Sequence, residues 1–288
     1  MARGRAEPSL PAFLKYRLGA CLVGLGLLGA APARAESPER ADDDAPKRYS
    51  AWQSDRATPF VSLATDLGIV YARPRLTIGY GAPFWNYVGL EVTAFTTNSF
   101  AQPSIGWRAS LPFLDVILTG REVYPYRRRF PTPKEHYDWR DIHLDTGGRR
   151  SVYRAIDLEV GAVAPVLHGG VFLNARPVVV DAPPDSPLYE EVLRAVMVPP
   201  FALGLRGGYL YGIGESQDWK VGGMLEYVVL PGRPANVTRA GPVAIVTLAK
   251  SLDGFAAFSF VVSSPDSLGI EDGTYAFLGV LHRWAGRF

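Results

Sequence analysis

The stretch FALGLRGGYLYGI, Phe201 to Ile213, decides how this chain folds. In extended backbone, successive side chains point to opposite faces. Phe201, Leu203, Leu205, Tyr209, Tyr211 and Ile213 then share one face; Ala202, Gly204, Arg206, Gly208 and Gly212 share the other. One side is greasy and aromatic, the other small and charged. Helical periodicity would mix the two sets.

Working outward, the same alternation recurs. Trp219, Val221, Leu225, Tyr227 and Val229 oppose Asp218, Lys220, Gly222 and Glu226; Ile105, Trp107, Ala109 and Leu111 oppose Ser104, Gly106, Arg108 and Ser110. Tyr87 to Thr97 sets Val88, Leu90, Val92 and Ala94 against Gly89, Glu91 and Thr93. Ile156, Leu158 and Val160 oppose Asp157 and Glu159, and Leu114, Val116 and Leu118 oppose Asp115 and Thr119. Weaker versions lie at Leu76–Gly81, Val171–Arg176, Val243–Lys250 and Phe255–Ser263. The final segment places Leu278, Val280, Trp284 and Phe288 opposite Arg283 and Arg287. Eleven strands result, with a twelfth expected within Phe60–Tyr71. Pro, Gly, Asn and Asp cluster between them, as turns require. There is no βα alternation, so the fold class is all-β. One short helix is expected at Ser186–Met197, where Leu188, Val192 and Val196 fall at helical spacing, packed on a rim or serving as a lid or plug.

Size decides which face is inside. A closed sheet of about eight strands can fill its interior with side chains, whereas a larger one encloses space. About twelve strands with an apolar interior would surround a dry void. With the apolar face outward and lipid around it, the pattern is comfortable. The expectation is a single closed antiparallel transmembrane β-barrel of about 12 strands, with roughly 10–14 allowed. A soluble secreted β-barrel that binds a ligand is the alternative architecture.

Bulk properties bound the rest. Of 288 residues, 48% are hydrophobic and 12% aromatic, which excludes a disordered chain. Thirty Lys and Arg stand against 28 Asp and Glu, but five of the bases and only Glu7 among the acids precede residue 36. The remainder has 25 bases against 27 acids, so no basic surplus points to nucleic acid. Arg3, Arg5, Lys15 and Arg17 precede the apolar run Leu18–Ala31, and Ala33-Arg34-Ala35 suits a signal peptidase. Residues 1–35 therefore read as a cleavable signal peptide, 36–57 as a flexible leader and 58–288 as the barrel. Cys21, the only cysteine, follows basic residues rather than an apolar run and is an ordinary signal residue, so the remaining chain has no disulfide or thiolate metal site.

The terminal Phe288, Trp284 at the same parity, the signal segment and the missing cysteines resemble the Gram-negative outer-membrane β-barrel proteins. That resemblance implies a bacterial outer-membrane location, contact with lipid and lipopolysaccharide, and a last strand read by the barrel-assembly machinery. It identifies no single family within the class, so no family's functional residues are carried over.

Candidate chemistry lies in two places. Parity puts Glu91, Asp115, Asp157, Glu159 and Glu226 with Arg108, Arg176, Arg206, Lys220 and Arg283 on the lumen side. Such a balanced lining serves either a narrow pore of weak selectivity or an internal salt-bridge network. Trp107, Trp219 and Trp284 fit girdles at the membrane interface. The second place is the long connection 127–150, which holds His136, Asp138, Asp141, His143 and Asp145. These residue types could form an acid–base pair or a metal site, making a surface hydrolase of lipid or peptide the alternative function. No nucleophile stands in a recognisable setting, and no cofactor or resident metal is expected. Arg127, Arg128, Arg129, Arg149 and Arg150 at the ends of this connection suit phosphate groups of lipopolysaccharide. The chain does not reveal an oligomeric state.

Overall fold

A computed structural model describes residues 56–143, 148–183, 186–214, 217–272 and 275–288; for 272, 275 and 276 it describes the backbone alone. The expected signal segment and nearly all of the leader lie outside these residues, as does Asp145.

Twelve long strands close on themselves, and two short ones lie apart from the wall. In chain order they are β1 (Thr58–Gly68), β2 (Tyr71–Ala82), β3 (Asn86–Thr97), β4 (Phe100–Ser110), β5 (Leu114–Pro125), β6 (Tyr153–Val166) and β7 (Gly169–Asp181), then the short pair β8 (Leu188–Glu190) and β9 (Ala195–Met197). The wall resumes with β10 (Phe201–Ile213), β11 (Trp219–Val229), β12 (Val237–Ala249), β13 (Leu252–Ser263) and β14 (Tyr275–Arg287). Each wall strand pairs antiparallel with its neighbours, β7 pairs with β10, and β14 returns to pair with β1. The alternation expected for Phe201–Ile213 is realised in β10, where Arg206 stands level with Glu226 of β11 and Asn174 of β7 in one inward row.

Closure satisfies the backbone groups that an open sheet would leave at its edges. Four prolines inside wall strands each interrupt one ladder, because proline has no N–H to give. Pairing skips at Pro74 between β2 and β3, at Pro103 between β4 and β5, at Pro177 between β6 and β7, and at Pro242 between β12 and β13.

The outward face is apolar: Ile78, Leu90, Ile105, Leu173, Leu225 and Leu278 stand exposed along it. The inward face carries the polar and charged side chains. The long connections, 126–152, 182–200, 230–236 and 264–274, all emerge at one end of the barrel, the loop end. The opposite end, the turn end, has only short links: 83–85, 111–113, 167–168, 214–218 and 250–251.

The connection 182–200 corrects the expected helix. It forms a hairpin of β8 and β9, paired Leu188 to Met197 and Glu190 to Ala195. Arg194 takes a positive φ of 52°, and Leu193 N–H donates to Glu190 Oε2 at 2.5 Å, closing the turn. Both hairpin strands are fully buried and lie within the barrel rather than on its rim. Leu188, Val192 and Val196 match a helical spacing, but contacts to the wall select the turn, and tertiary contact overrides a weak local preference.

Candidate functional site: a barrel interior crossed by a hairpin

Apolar side chains seat the hairpin first. Leu188, Leu193, Ala195 and Met197 form one buried cluster with Val123 and Tyr153 on one side of the wall and Val228 and Val237 on the other. Gly204 makes room for this packing: a Cβ there would lie 2.8 Å from Leu193 Cδ2.

Ion pairs then fix its position. Arg121 of β5 holds Asp157 through Nε at 2.8 Å and Nη2 at 3.1 Å, and its Nη2 lies 2.7 Å from Glu190 Oε1. Tyr153 donates its hydroxyl to the same Glu190 oxygen at 3.0 Å and accepts the Glu191 N–H at 3.1 Å. On the far side, Arg239 of β12 is 1% exposed. It donates to the carbonyls of Leu193 at 3.0 Å and Arg194 at 2.7 Å, and to Glu226 Oε2 at 2.9 Å. The tip reaches further: the Arg194 guanidinium lies over the Phe277 ring of β14, 4.7 Å from its centroid. Buried charges persist only when paired and hydrogen-bonded, and each of these is. The insert therefore crosses the interior from β5 to β12 and touches β14.

Elsewhere along the wall the inward face is lined by further paired charges. Arg108 grips Asp115 in a two-pronged contact at 2.9 and 3.0 Å and reaches Glu91 at 3.2 Å. Arg73 and Arg75 share Asp66, Arg176 meets Glu159, Arg206 meets Glu226 at 2.9 Å and Arg283 meets Asp253 at 2.5 Å. Lys220 stands on the same face of β11, level with Ile245 of β12. Of the residues that parity assigns to the lumen, Glu91, Arg108, Asp115, Asp157, Glu159, Arg176, Arg206, Glu226 and Arg283 each have an ion-pair partner, and Lys220 shares their face.

Several of these partners carry little signal in the sequence. Arg121 shares the parity of Asp115 and Thr119 but lies two residues beyond the stretch where alternation is plain. Arg239 precedes the visible alternation at Val243–Lys250, because β12 begins at Val237. Asp253 sits beside a Gly in what reads as a turn. Asp66, Arg73 and Arg75 lie where Pro74 and short side chains blur the pattern.

The loop end is closed over by its own connections. Tyr137, Ile142, Tyr189, Val196 and Leu268 form a second buried cluster. Arg233 pairs with Asp266, and the Tyr137 N–H donates to Asp266 Oδ1 at 2.9 Å. Arg128, buried, bridges Glu191 of the hairpin and Glu271 of the 264–274 connection. Burial opposes its charge, but Glu191, Tyr189 and Glu271 together hold its guanidinium above its ordinary pKa. Burial pushes the Glu191 carboxyl up to about 7 against the pull of Arg128. Burial and the Arg128 charge press the His143 pKa down, while Glu271 opposes them.

The described members of the acid–base candidate set do not converge. His136 Nδ1 contacts the Pro265 carbonyl at 2.7 Å. Asp138 Oδ1 accepts the backbone N–H groups of Arg140 at 2.7 Å and Asp141 at 3.1 Å, capping the one-turn helix α1 (Trp139–His143). Asp141 takes Lys134, and His143 stacks on Trp139 and lies 3.3 Å from Glu271 Oε1. Each has a structural partner. Among the described residues no three His, Cys, Asp or Glu side chains are grouped to hold a metal ion.

Aromatic side chains mark two levels of the outer wall. Trp107, Trp219 and Trp284 are exposed near the turn end, and the exposed Phe288 follows β14 there; Tyr124, Tyr126 and Tyr227 are exposed near the loop end.

These features define a closed twelve-stranded antiparallel barrel with an apolar exterior, a charge-lined interior and an inserted hairpin. No protein-family model matches the chain, and no curated protein matches it in sequence. Solved structures similar to it include the KdgM porin in complex with disordered oligogalacturonate, at 10% identity and a TM-score of 0.40 over 77% of this chain and 98% of that one. The NanC porin aligns at 8% identity and 0.36 over 80% and 99%, and the Acinetobacter baumannii outer membrane protein Omp33 at 9% and 0.38 over 82% and 100%. Likeness this distant extends to the barrel form and no further.

Proposed function

We propose that the protein is an outer-membrane β-barrel acting as a narrow passive pore for small hydrophilic solutes, held shut or nearly so at the loop end by the β8–β9 hairpin. One observation carries the reading. Large apolar side chains face outward and paired charges face inward around the whole closed wall. A soluble barrel would expose a continuous greasy belt to water, whereas lipid accepts it. The aromatic levels support the same placement: Trp219 and Tyr227 both lie on β11, near its opposite ends. Their separation is about 26 Å along the strand and about 20 Å at a tilt of about 40°, near the height of an outer-membrane apolar band. In this reading the loop end faces outside, the turn end faces the periplasm, and β14 is the strand met by the assembly machinery.

Purified protein reconstituted in planar bilayers should give small single-channel steps. Replacing Leu188–Met197 with a Gly-Ser linker should enlarge them several-fold. Silence from both proteins, with folded barrel verified by heat-modifiable gel mobility, would defeat the pore and leave a structural role.

A further inference from the structure

We infer that the outer wall at β4–β7, together with the arginines above it, binds a phosphorylated glycolipid of the outer leaflet, one acyl chain lying in a furrow on the barrel surface. The inference rests on the membrane reading above but not on the pore.

The furrow encloses about 750 Å³. Its lining runs as four short tripeptides, one per strand, of which Pro103, Ile105, Gly120, Ile156 and Val179 point outward and are apolar. The floor is Gly120. A Cβ built there would meet nothing nearer than the Ile105 carbonyl oxygen at 4.0 Å, so a trough opens between Ile105, 60% exposed, and Ile156, 58% exposed. Other outward glycines differ: a Cβ on Gly207 would stand 2.9 Å from Leu173 Cδ2 and one on Gly254 2.9 Å from Val246 Cγ1, while Gly223 is nearly as open, with the Gly241 carbonyl oxygen at 3.8 Å. The trough also lies where the β4–β5 ladder skips at Pro103.

The chemistry changes in layers toward the loop end. One layer up, Glu122, Arg154 and Asp181 stand side by side in register across β5, β6 and β7. Arg154 Nε donates to Glu122 Oε1 at 2.5 Å, so this layer ends with a carboxylate in excess. It offers acceptors at the level where sugar hydroxyl and amide donors would lie. Above it, the chain continues past the wall from β5 and into β6 as a two-stranded extension: Ser151 N–H donates to the Arg128 carbonyl at 3.2 Å and Phe130 N–H to the Arg149 carbonyl at 3.1 Å. Arg127, Arg129, Arg149 and Arg150 are exposed on this extension. Arg150 precedes Arg154 by one short stretch of chain, about 13 Å up the strand direction.

Apolar trough, acceptor layer and arginine fringe thus follow one another along the β5 and β6 strands toward the loop end. Guanidinium groups pair with phosphate oxygens two at a time, which matches an anionic glycolipid better than a neutral lipid. A lipid tail is no drier in the trough than in the bilayer. The trough therefore sets the position of the ligand, and the phosphate contacts supply most of the retention.

The test uses full-length folded protein in mixed micelles containing bis-phosphorylated lipid A, the same lipid A stripped of phosphate, or phosphatidylglycerol, with bound lipid read by native mass spectrometry. Wild type should retain the phosphorylated lipid A several-fold above both others, less so in high salt. Arg127→Glu with Arg150→Glu should erase that preference. Gly120→Leu, which fills open space, should reduce retention while leaving heat-modifiable mobility intact. Equal retention of the stripped lipid or of phosphatidylglycerol, or wild-type retention by the arginine double variant, overturns the inference. A barrel that inserts and conducts yet retains no glycolipid overturns it while leaving the pore standing.

Discussion

Glu191 is the most consequential single residue at the loop end. It lies buried between Arg128 and the hairpin turn, facing Glu190, Tyr189 and Glu271, with His143 behind Glu271. Its pKa of about 7 is above the ordinary 4.5, so folding favours its protonated form. The associated stability is complete below about pH 4.5 and is lost as pH rises through about 7, amounting to something on the order of 3 kcal/mol. His143 acts oppositely, because its depressed pKa favours the neutral ring and its contribution fades on acidification. Glu191→Gln separates the two. The variant should resist hydrogen exchange across residues 186–197 more strongly than wild type at about pH 8 and match it at about pH 5. Greater protection of wild type at the higher pH would refute this assignment. Arg121 is exposed to a different kind of loss. Arg121→Met leaves Glu190 and Asp157 buried together without their cation, and should destabilise the barrel by about 3–5 kcal/mol in urea unfolding.

At the scale of elements, the hairpin is joined to the wall by packing on both flanks and by Arg121 and Arg239. Gly204→Leu would drive a side chain into Leu193, 2.8 Å from where its Cβ must sit. That variant should keep the closed wall, since β10 retains both ladders, yet loosen the insert and raise conductance toward that of the hairpin deletion. The wall strands are legible in the chain because each needs only a local rule, alternation by two, repeated over 11 to 14 residues. Phe201–Ile213 shows it plainly. The hairpin is not legible, because β8 and β9 are three residues each and buried on both faces, so no alternation marks them. Their form depends on Arg121 and Arg239, which lie far from Leu188 and Arg194 along the chain. Likewise, parity reveals which charges face inward but not which pair, since the contact of Arg108 with both Asp115 and Glu91 depends on the register of three strands.

For the whole molecule, the sorted wall makes opposite demands on its two faces. Val92, 50% exposed on β3 between Leu76 and Ile105 of its neighbours, sits on the outer face away from either end. Val92→Lys should lower stability in lipid by about 2–4 kcal/mol, as a charge at the bilayer midplane does. Thr93→Lys, on the inward face of the same strand, should be tolerated far better. Equal penalties at both positions would contradict the proposed orientation. Unfolding by urea in vesicles measures both.

The strands flanking the insert, β7 and β10, already pair with one another from Phe201 opposite Val179 to Tyr211 opposite Gly169. The chain between them is a detour that the circumference does not need. Proteolytic nicking within residues 191–194 should therefore leave an intact ring, and a different insert could replace this one as a cassette, changing what fills the interior without redesigning what surrounds it.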